Sequence, residues 1–130
     1  MYKYQRILLI DDDNDDQEFF KQALSEINAE LVCTVAENGI DGLKKIKIPP
    51  PPDLMFLDIN MPLMDGFQYL QAVKREHDYK NIPVVMFTTS GSFNDREKAK
   101  QLGAARYIIK PNSFQNLKKV LTEVLIAGLT

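Results

Sequence analysis

The chain has 130 residues, enough for one domain with its own core and too few for two of ordinary size. A hydrophobic fraction of 45%, a charged fraction of 26% and a net charge of −2 fit a globular protein and argue against a concentrated basic face for nucleic acid. No apolar run approaches the roughly 20 residues that span a bilayer, and residues 1–6 lead into a short apolar run ending in acids, unlike a signal peptide. The single Cys33, within apolar residues 31–35, cannot close an internal disulfide and reads as a buried, inert thiol. We therefore expect a cytoplasmic protein with no membrane and no nucleic-acid partner.

In chain order, residues 6–10 form the first strand-like run, followed at once by Asp11-Asp12-Asp13. Consecutive apolar residues of this kind suit a strand buried on both faces. Residues 15–28 place Phe20, Ala23, Leu24 and Ile27 on one stripe, predicting a helix capped by Asn14, with Phe19 and Phe20 as core and near-core packing. Residues 31–36 read as a second strand and 39–47 as a short helix stopped by four prolines, which favour a rigid polyproline connector over 48–53. A third strand over 54–57 precedes a helix over 66–77 with Phe67, Leu70 and Val73 on one face and His77 near its end. A fourth strand over 83–88 leads to a polar helix over 94–102, in which only Ala99 and Leu102 are apolar and which Gly103 should terminate. That helix should pack thinly and move most easily. A fifth strand over 105–109 and a helix over 113–127, opened by Ser113 and striped with Phe114, Leu117, Val120, Leu121, Val124 and Leu125, complete the pattern. Alternation of this kind predicts one α/β domain over 1–130, with a parallel sheet, right-handed crossovers and helices on both faces.

Open parallel sheets carry their working sites outside the carboxyl ends of the strands. Four groups follow or end apolar runs there: the Asp11-Asp12 pair, Asp58, Thr88 and Lys110. Adjacent acids repel one another unless a cation or proton sits among them. Hard carboxylate oxygens suit Mg²⁺, which takes one or two protein carboxylates and keeps several waters. A carboxylate beside that metal can act as a nucleophile and form an acyl phosphate. The Thr88 hydroxyl and the Lys110 ammonium would then neutralise phosphoryl oxygens, as phosphoryl transfer requires.

The strings ILLIDD over 7–12, LDINMPLMDG over 57–66, VVMFTTS over 84–90 and YIIKP over 107–111 closely resemble the receiver domains of two-component response regulators, across essentially the whole chain. From Asp13-Asn14-Asp15-Asp16 and Thr88-Thr89-Ser90, the chain is similar to the stand-alone regulators that partner bacterial phytochrome-type kinases. The resemblance implies a flavodoxin-like (βα)5 doubly wound sheet in strand order 2-1-3-4-5, with no output domain. It implies that Asp58 is the phosphoacceptor, that Asp12, Asp58 and the backbone carbonyl of Asn60 hold Mg²⁺ (or Mn²⁺ in its place), and that Asp11 holds it through water. Lys110 would pair with the acceptor and then the phosphoryl group. Thr88 would swing to the phosphoryl oxygen, and Tyr107 would follow by turning inward. Asn60 and Ser90 would tune phosphate loss, and the bond preceding Pro111 would be cis. The implied partners are a sensor histidine kinase or histidine phosphotransfer protein and a downstream protein target. The face formed by helix four, strand five and helix five would serve partner or homodimer contacts. Such a protein is no enzyme beyond its own phosphorylation and dephosphorylation.

Other readings of the same residues remain. Asp13, Asp15 and Asp16 also suit a helix N-terminus, through caps and the helix dipole. A calcium loop starting at Asp11 needs Gly at its sixth position and Glu at its twelfth, where the chain has Asp16 and Gln22. A phosphatase of the haloacid-dehalogenase type would use Asp11 and Asp13, but the expected hydroxyl residue is replaced by Asp15. A pseudo-receiver that binds without being phosphorylated would lack an acid, Thr or Lys, and none is missing.

Overall fold

The computed structural model describes residues 2–128. Its elements run β1 (Arg6–Ile10), α1 (Asn14–Ile27), β2 (Val32–Ala36), α2 (Gly39–Lys45), β3 (Leu54–Leu57), α3 (Gly66–Lys74), β4 (Val84–Thr88), α4 (Phe93–Gln101), β5 (Arg106–Ile109) and α5 (Phe114–Ala127). The strands form one parallel sheet in the order β2-β1-β3-β4-β5, the flavodoxin-like arrangement expected.

Strand alternation divides the core between the two faces of this sheet. Ile7, Leu9, Leu54, Phe56, Val85 and Phe87 point towards α1 and α5, where they meet Phe20, Leu24, Leu117 and Leu121. Leu8, Ile10, Met55, Leu57, Val84 and Met86 point the other way, onto Phe67, Leu70, Val73 and Ala99. On the first face, Phe20, Phe56 and Phe87 form a mutually edge-on trio with ring centroids 5.0 to 5.8 Å apart, a geometry that aromatic quadrupoles favour. Every residue of β3 and β4 is buried, which is why their sequences read as unbroken apolar runs.

Several details depart from the sequence reading. Asp13, not Asn14, caps α1, its side chain accepting from the Asp16 N–H. Phe19 is 53% exposed while Phe20 is fully buried, because adjacent helical residues lie about 100° apart and the stripe reaches one of them. The third helix stops at Lys74, so exposed His77 lies in the turns that follow, where Tyr79 and Ile82 drop back against the core. Among the described residues the one cis peptide bond is Pro49–Pro50, within the connector expected to be uniform polyproline. The Lys110–Pro111 bond expected to be cis is instead trans, the form that X–Pro bonds favour by roughly 0.5–1 kcal/mol.

The polar fourth helix behaves as its composition predicts. Ala99 is its one buried residue, and Phe93 at its start is 72% exposed.

Candidate functional site

The carboxyl edge of the sheet gathers the acids. Asp11 continues β1, its N–H still donating to the Ala36 carbonyl, and Asp58 continues β3, donating to the Ile10 carbonyl. Both side chains are thereby fixed by central strands: Asp11 is fully buried and Asp58 nearly so. Asp12 is exposed beside them, and one carboxylate oxygen from each of the three lies within 4.8 Å of the others. Asp13 is not in that cluster: its side chain caps α1, accepting from the Asp16 N–H at 3.0 Å, while its own N–H donates to the Asp11 carboxylate at 3.0 Å.

Local chemistry explains how the loop after β3 presents Asp58. The Asp58 carboxylate accepts from the Ile59 N–H at 2.8 Å, and the chain closes with the Gly66 N–H donating to the Ile59 carbonyl at 2.8 Å. Gly66 is required at that closure, since a Cβ there would run into the Asp58 carbonyl. Asp65 and Gln68 then form a reciprocal capping box that starts α3. Between these points Leu63 is 80% exposed with φ of +70°, a conformation that bulky residues rarely adopt. Asn60 is exposed in the same loop.

Lys110 closes the site from β5. Its Nζ lies 2.7 Å from Asp16, 2.9 Å from Asp11 and 3.3 Å from Asp58, with the side chain only 10% exposed. Burial alone disfavours the ammonium, but the Asp11 and Asp16 carboxylates outweigh it and hold Lys110 firmly protonated. Burial pushes the Asp11 carboxyl up to about 6 against the pull of Lys110. Buried Asp11 Oδ2 meets the Lys110 ammonium at 2.9 Å and has no other polar partner. Three carboxylates this close, sharing one ammonium, form a cluster of hard oxygen donors that fits Mg²⁺ or Mn²⁺.

A second network runs from β4 to α4. Thr88 is fully buried, and its Oγ1 accepts from the Ser90 N–H at 3.3 Å. Ser90 Oγ donates to Asp95 at 2.7 Å and accepts from the Ser92 N–H at 3.3 Å, tying the loop to the first turn of α4. The half-buried Tyr107 donates its hydroxyl to the Ser90 carbonyl at 2.7 Å, while the Arg96 guanidinium lies 4.9 Å from its ring centre. Thr88, Ser90 and Tyr107, singled out separately in the sequence, are thus joined through Ser90.

Sequence reasoning missed Asp16, Asp95 and Arg96. For Asp16 a signal exists: it is the third residue of a helix that opens from the site, and helical Cβ atoms tilt towards the N-terminus. Nothing in the sequence pattern links Asp95 or Arg96 to Ser90 and Tyr107, because the β4–α4 loop alone brings them together. Beside Lys110, exposed Phe19 flanks a groove of about 340 Å³ shared with Phe114, Leu117 and Pro111. Cys33 lies on β2, half-buried, with its thiol pushed up to about 12 by burial.

Comparison with known proteins agrees with this geometry. The family model for the response regulator receiver domain matches residues 7–122. The chemotaxis protein CheY1 of Helicobacter pylori is 32% identical over 120 residues, covering 92% of this chain and 96% of CheY1. The sensor histidine kinase CheAY of the same organism is also 32% identical, over 116 residues, but the match takes in 88% of this chain and only 14% of that protein. Among solved structures, the Mn²⁺-bound response regulator Rcp1 superposes with a TM-score of 0.82 at 26% identity, covering 92% of this chain and 91% of that one. The bacteriophytochrome response regulator AtBRR gives 0.76 at 27% identity, over 98% of this chain and 95% of that one. The chain belongs to the response regulator receiver domain family.

Proposed function

We propose that this chain is a phosphoacceptor whose reacting group is Asp58, taking a phosphoryl group from a sensor histidine kinase or a histidine phosphotransfer protein. The observation that carries the reading is the setting of Asp58. Its carboxylate is buried at the end of a central strand, beside Asp11 and Asp12 and within reach of the Lys110 ammonium. A divalent cation there, Mg²⁺ or Mn²⁺, would be held by Asp12, Asp58 and the Asn60 carbonyl, with Asp11 acting through water, and would neutralise phosphoryl charge. The Mn²⁺ of Rcp1, a family relative, supports that choice of ion.

The chain's own residues do the rest. An Asp58 oxygen attacks phosphorus, the donor's bond to phosphorus breaks with its electron pair leaving on the donor, and an acyl phosphate forms. Lys110 moves from the Asp58 carboxylate to a phosphoryl oxygen. Thr88 donates its hydroxyl to another, giving up its contact with the Ser90 N–H. Tyr107 then exchanges its bond to the Ser90 carbonyl for an inward position, which frees the loop to α4. Ser90 and Asn60 border the phosphoryl group and influence its loss to water.

Output passes by protein contact, through α4, β5 and α5, to a downstream target or a second copy. The likeness to AtBRR supports a phytochrome-type kinase as the writer. We read residues 1–130 as one receiver domain, working in the cytoplasm. Among the described residues no helix is long and apolar enough to cross a membrane. The test is covalent labelling by acetyl phosphate with Mg²⁺, followed by intact mass. The wild-type chain gains one phosphoryl group and Asp58→Asn gains none; equal labelling of the two would remove Asp58 from the role.

A further inference from the structure

Lys110 makes its shortest contact with a carboxylate outside the candidate metal cluster. Its Nζ is 2.7 Å from Asp16, against 2.9 Å to Asp11 and 3.3 Å to Asp58. Asp11 and Asp58 belong with Asp12 to the group that fits a divalent cation, and Asp16 does not. The distinction matters once a cation shares the pocket. A dication would offset the charge of Asp11 and Asp58 and repel the ammonium, with weak solvent screening around a side chain only 10% exposed. Asp16 is then the carboxylate still free to hold Nζ beside Asp58. Its backbone is held by the cap, the Asp16 N–H donating to Asp13 at 3.0 Å, and from that turn the side chain, 38% exposed, reaches back to Lys110.

We propose that Asp16 is a positioning residue that tethers Lys110 beside the phosphoacceptor, so that the ammonium is in place when charge builds on the phosphoryl oxygens. The inference rests on the reading of Asp58 as that acceptor. Asp16 itself exchanges no proton and touches no reacting atom; it acts through Lys110.

A purely structural role for Asp16 predicts something different. An acid in the first turn of a helix is stabilised by the helix dipole, so its loss would lower thermal stability and leave transfer unchanged. Simple electrostatics goes further, because removing a negative charge near an anionic phosphodonor should speed labelling. The tether predicts the opposite sign.

The experiment compares initial rates of Mg²⁺-dependent labelling by acetyl phosphate, across donor concentrations, for the wild-type chain and Asp16→Asn, Asp16→Glu and Asp15→Asn. Thermal melts run alongside. With the tether, Asp16→Asn lowers the limiting rate by about tenfold, equivalent to ~1.4 kcal/mol of barrier, with little change in half-saturating donor. Asp16→Glu recovers most of the rate, and Asp15→Asn, a charge control on the same turn, labels at or above the wild-type rate. An Asp16→Asn chain as fast as wild type or faster would overturn the inference, as would Asp16→Glu remaining as slow as Asp16→Asn. Failure of the wild-type chain to label would remove the Asp58 reading and the inference together.

Discussion

The two halves of the sheet's carboxyl edge are built from different materials. At the centre, Asp11 and Asp58 emerge from strands buried on both faces and are themselves buried. At the β5 side, α4 buries a single alanine and is held to the sheet's end by polar bonds running through Ser90, Asp95 and Tyr107. Such bonds are individually worth about 0.5–1.5 kcal/mol, well below the contribution of a buried aromatic side chain. The proposed phosphoryl chemistry, which needs fixed geometry, would sit on the rigid half, and the half that can rearrange at low cost lies beside it. Local stability therefore changes steeply across a few ångströms.

The difference can be broken at its strongest point first. Phe56→Ala removes the centre of the aromatic trio beneath β3 and should cost about 3–5 kcal/mol, read as a fall in urea midpoint with an unchanged slope. A loss below about 1 kcal/mol would mean the central half is not rigid in the sense described.

A control lies at the opposite edge of the sheet, on β2. The Cys33 thiol is raised to about 12, so the folded chain carries far less thiolate than the unfolded one near neutral pH. Because the thiolate is the reacting species, iodoacetamide should modify the native protein roughly a thousandfold more slowly than the urea-unfolded chain at pH ~8. The native rate should climb about tenfold per pH unit until the thiol's raised range is reached, so long as the fold persists. Equal rates for folded and unfolded chains would show that this edge opens freely.

On the α4 side the effects shrink. Tyr107→Phe deletes the hydroxyl that reaches the Ser90 carbonyl and should cost about 0.5–1.5 kcal/mol, while quickening amide exchange in α4 more than in α5. Phe93→Ala, at a side chain 72% exposed, should change stability by no more than about 0.5 kcal/mol. A larger loss there would mean α4 is packed more firmly than its single buried residue indicates.

Most of the rigid half is legible in the amino-acid sequence, and the reason is periodicity. Strands buried on both faces read as continuous apolar runs, so β1, β3 and β4 and the acids that follow them stand out. Phe19 and Phe20 show the limit of that signal. Hydrophobicity marks both, and only the helix phase, set by the cap at Asp13, decides that one is buried and the other exposed. The contact between Asp16 and Lys110 joins residues 94 positions apart and leaves no periodic trace, so it emerges only once β1 and β5 are in one sheet. The same holds for the Tyr107 hydroxyl and Ser90. The acids after β1 accordingly separate into three placements that sequence pattern alone does not resolve: Asp11 and Asp12 in the carboxylate cluster with Asp58, Asp13 as a cap, and Asp16 on Lys110.

On the proposed function, a phosphoryl group written on the rigid half is read on the loose one. Amide chemical shifts, recorded with Mg²⁺ before and after adding beryllofluoride as a phosphoryl mimic, test it directly. Perturbations around residues 11–13 and 58–60 should extend through residues 88–101 and Tyr107, with residues 20–27 and 120–125 left in place. Perturbations confined to the pocket, or spread evenly over α1, α4 and α5, would contradict it.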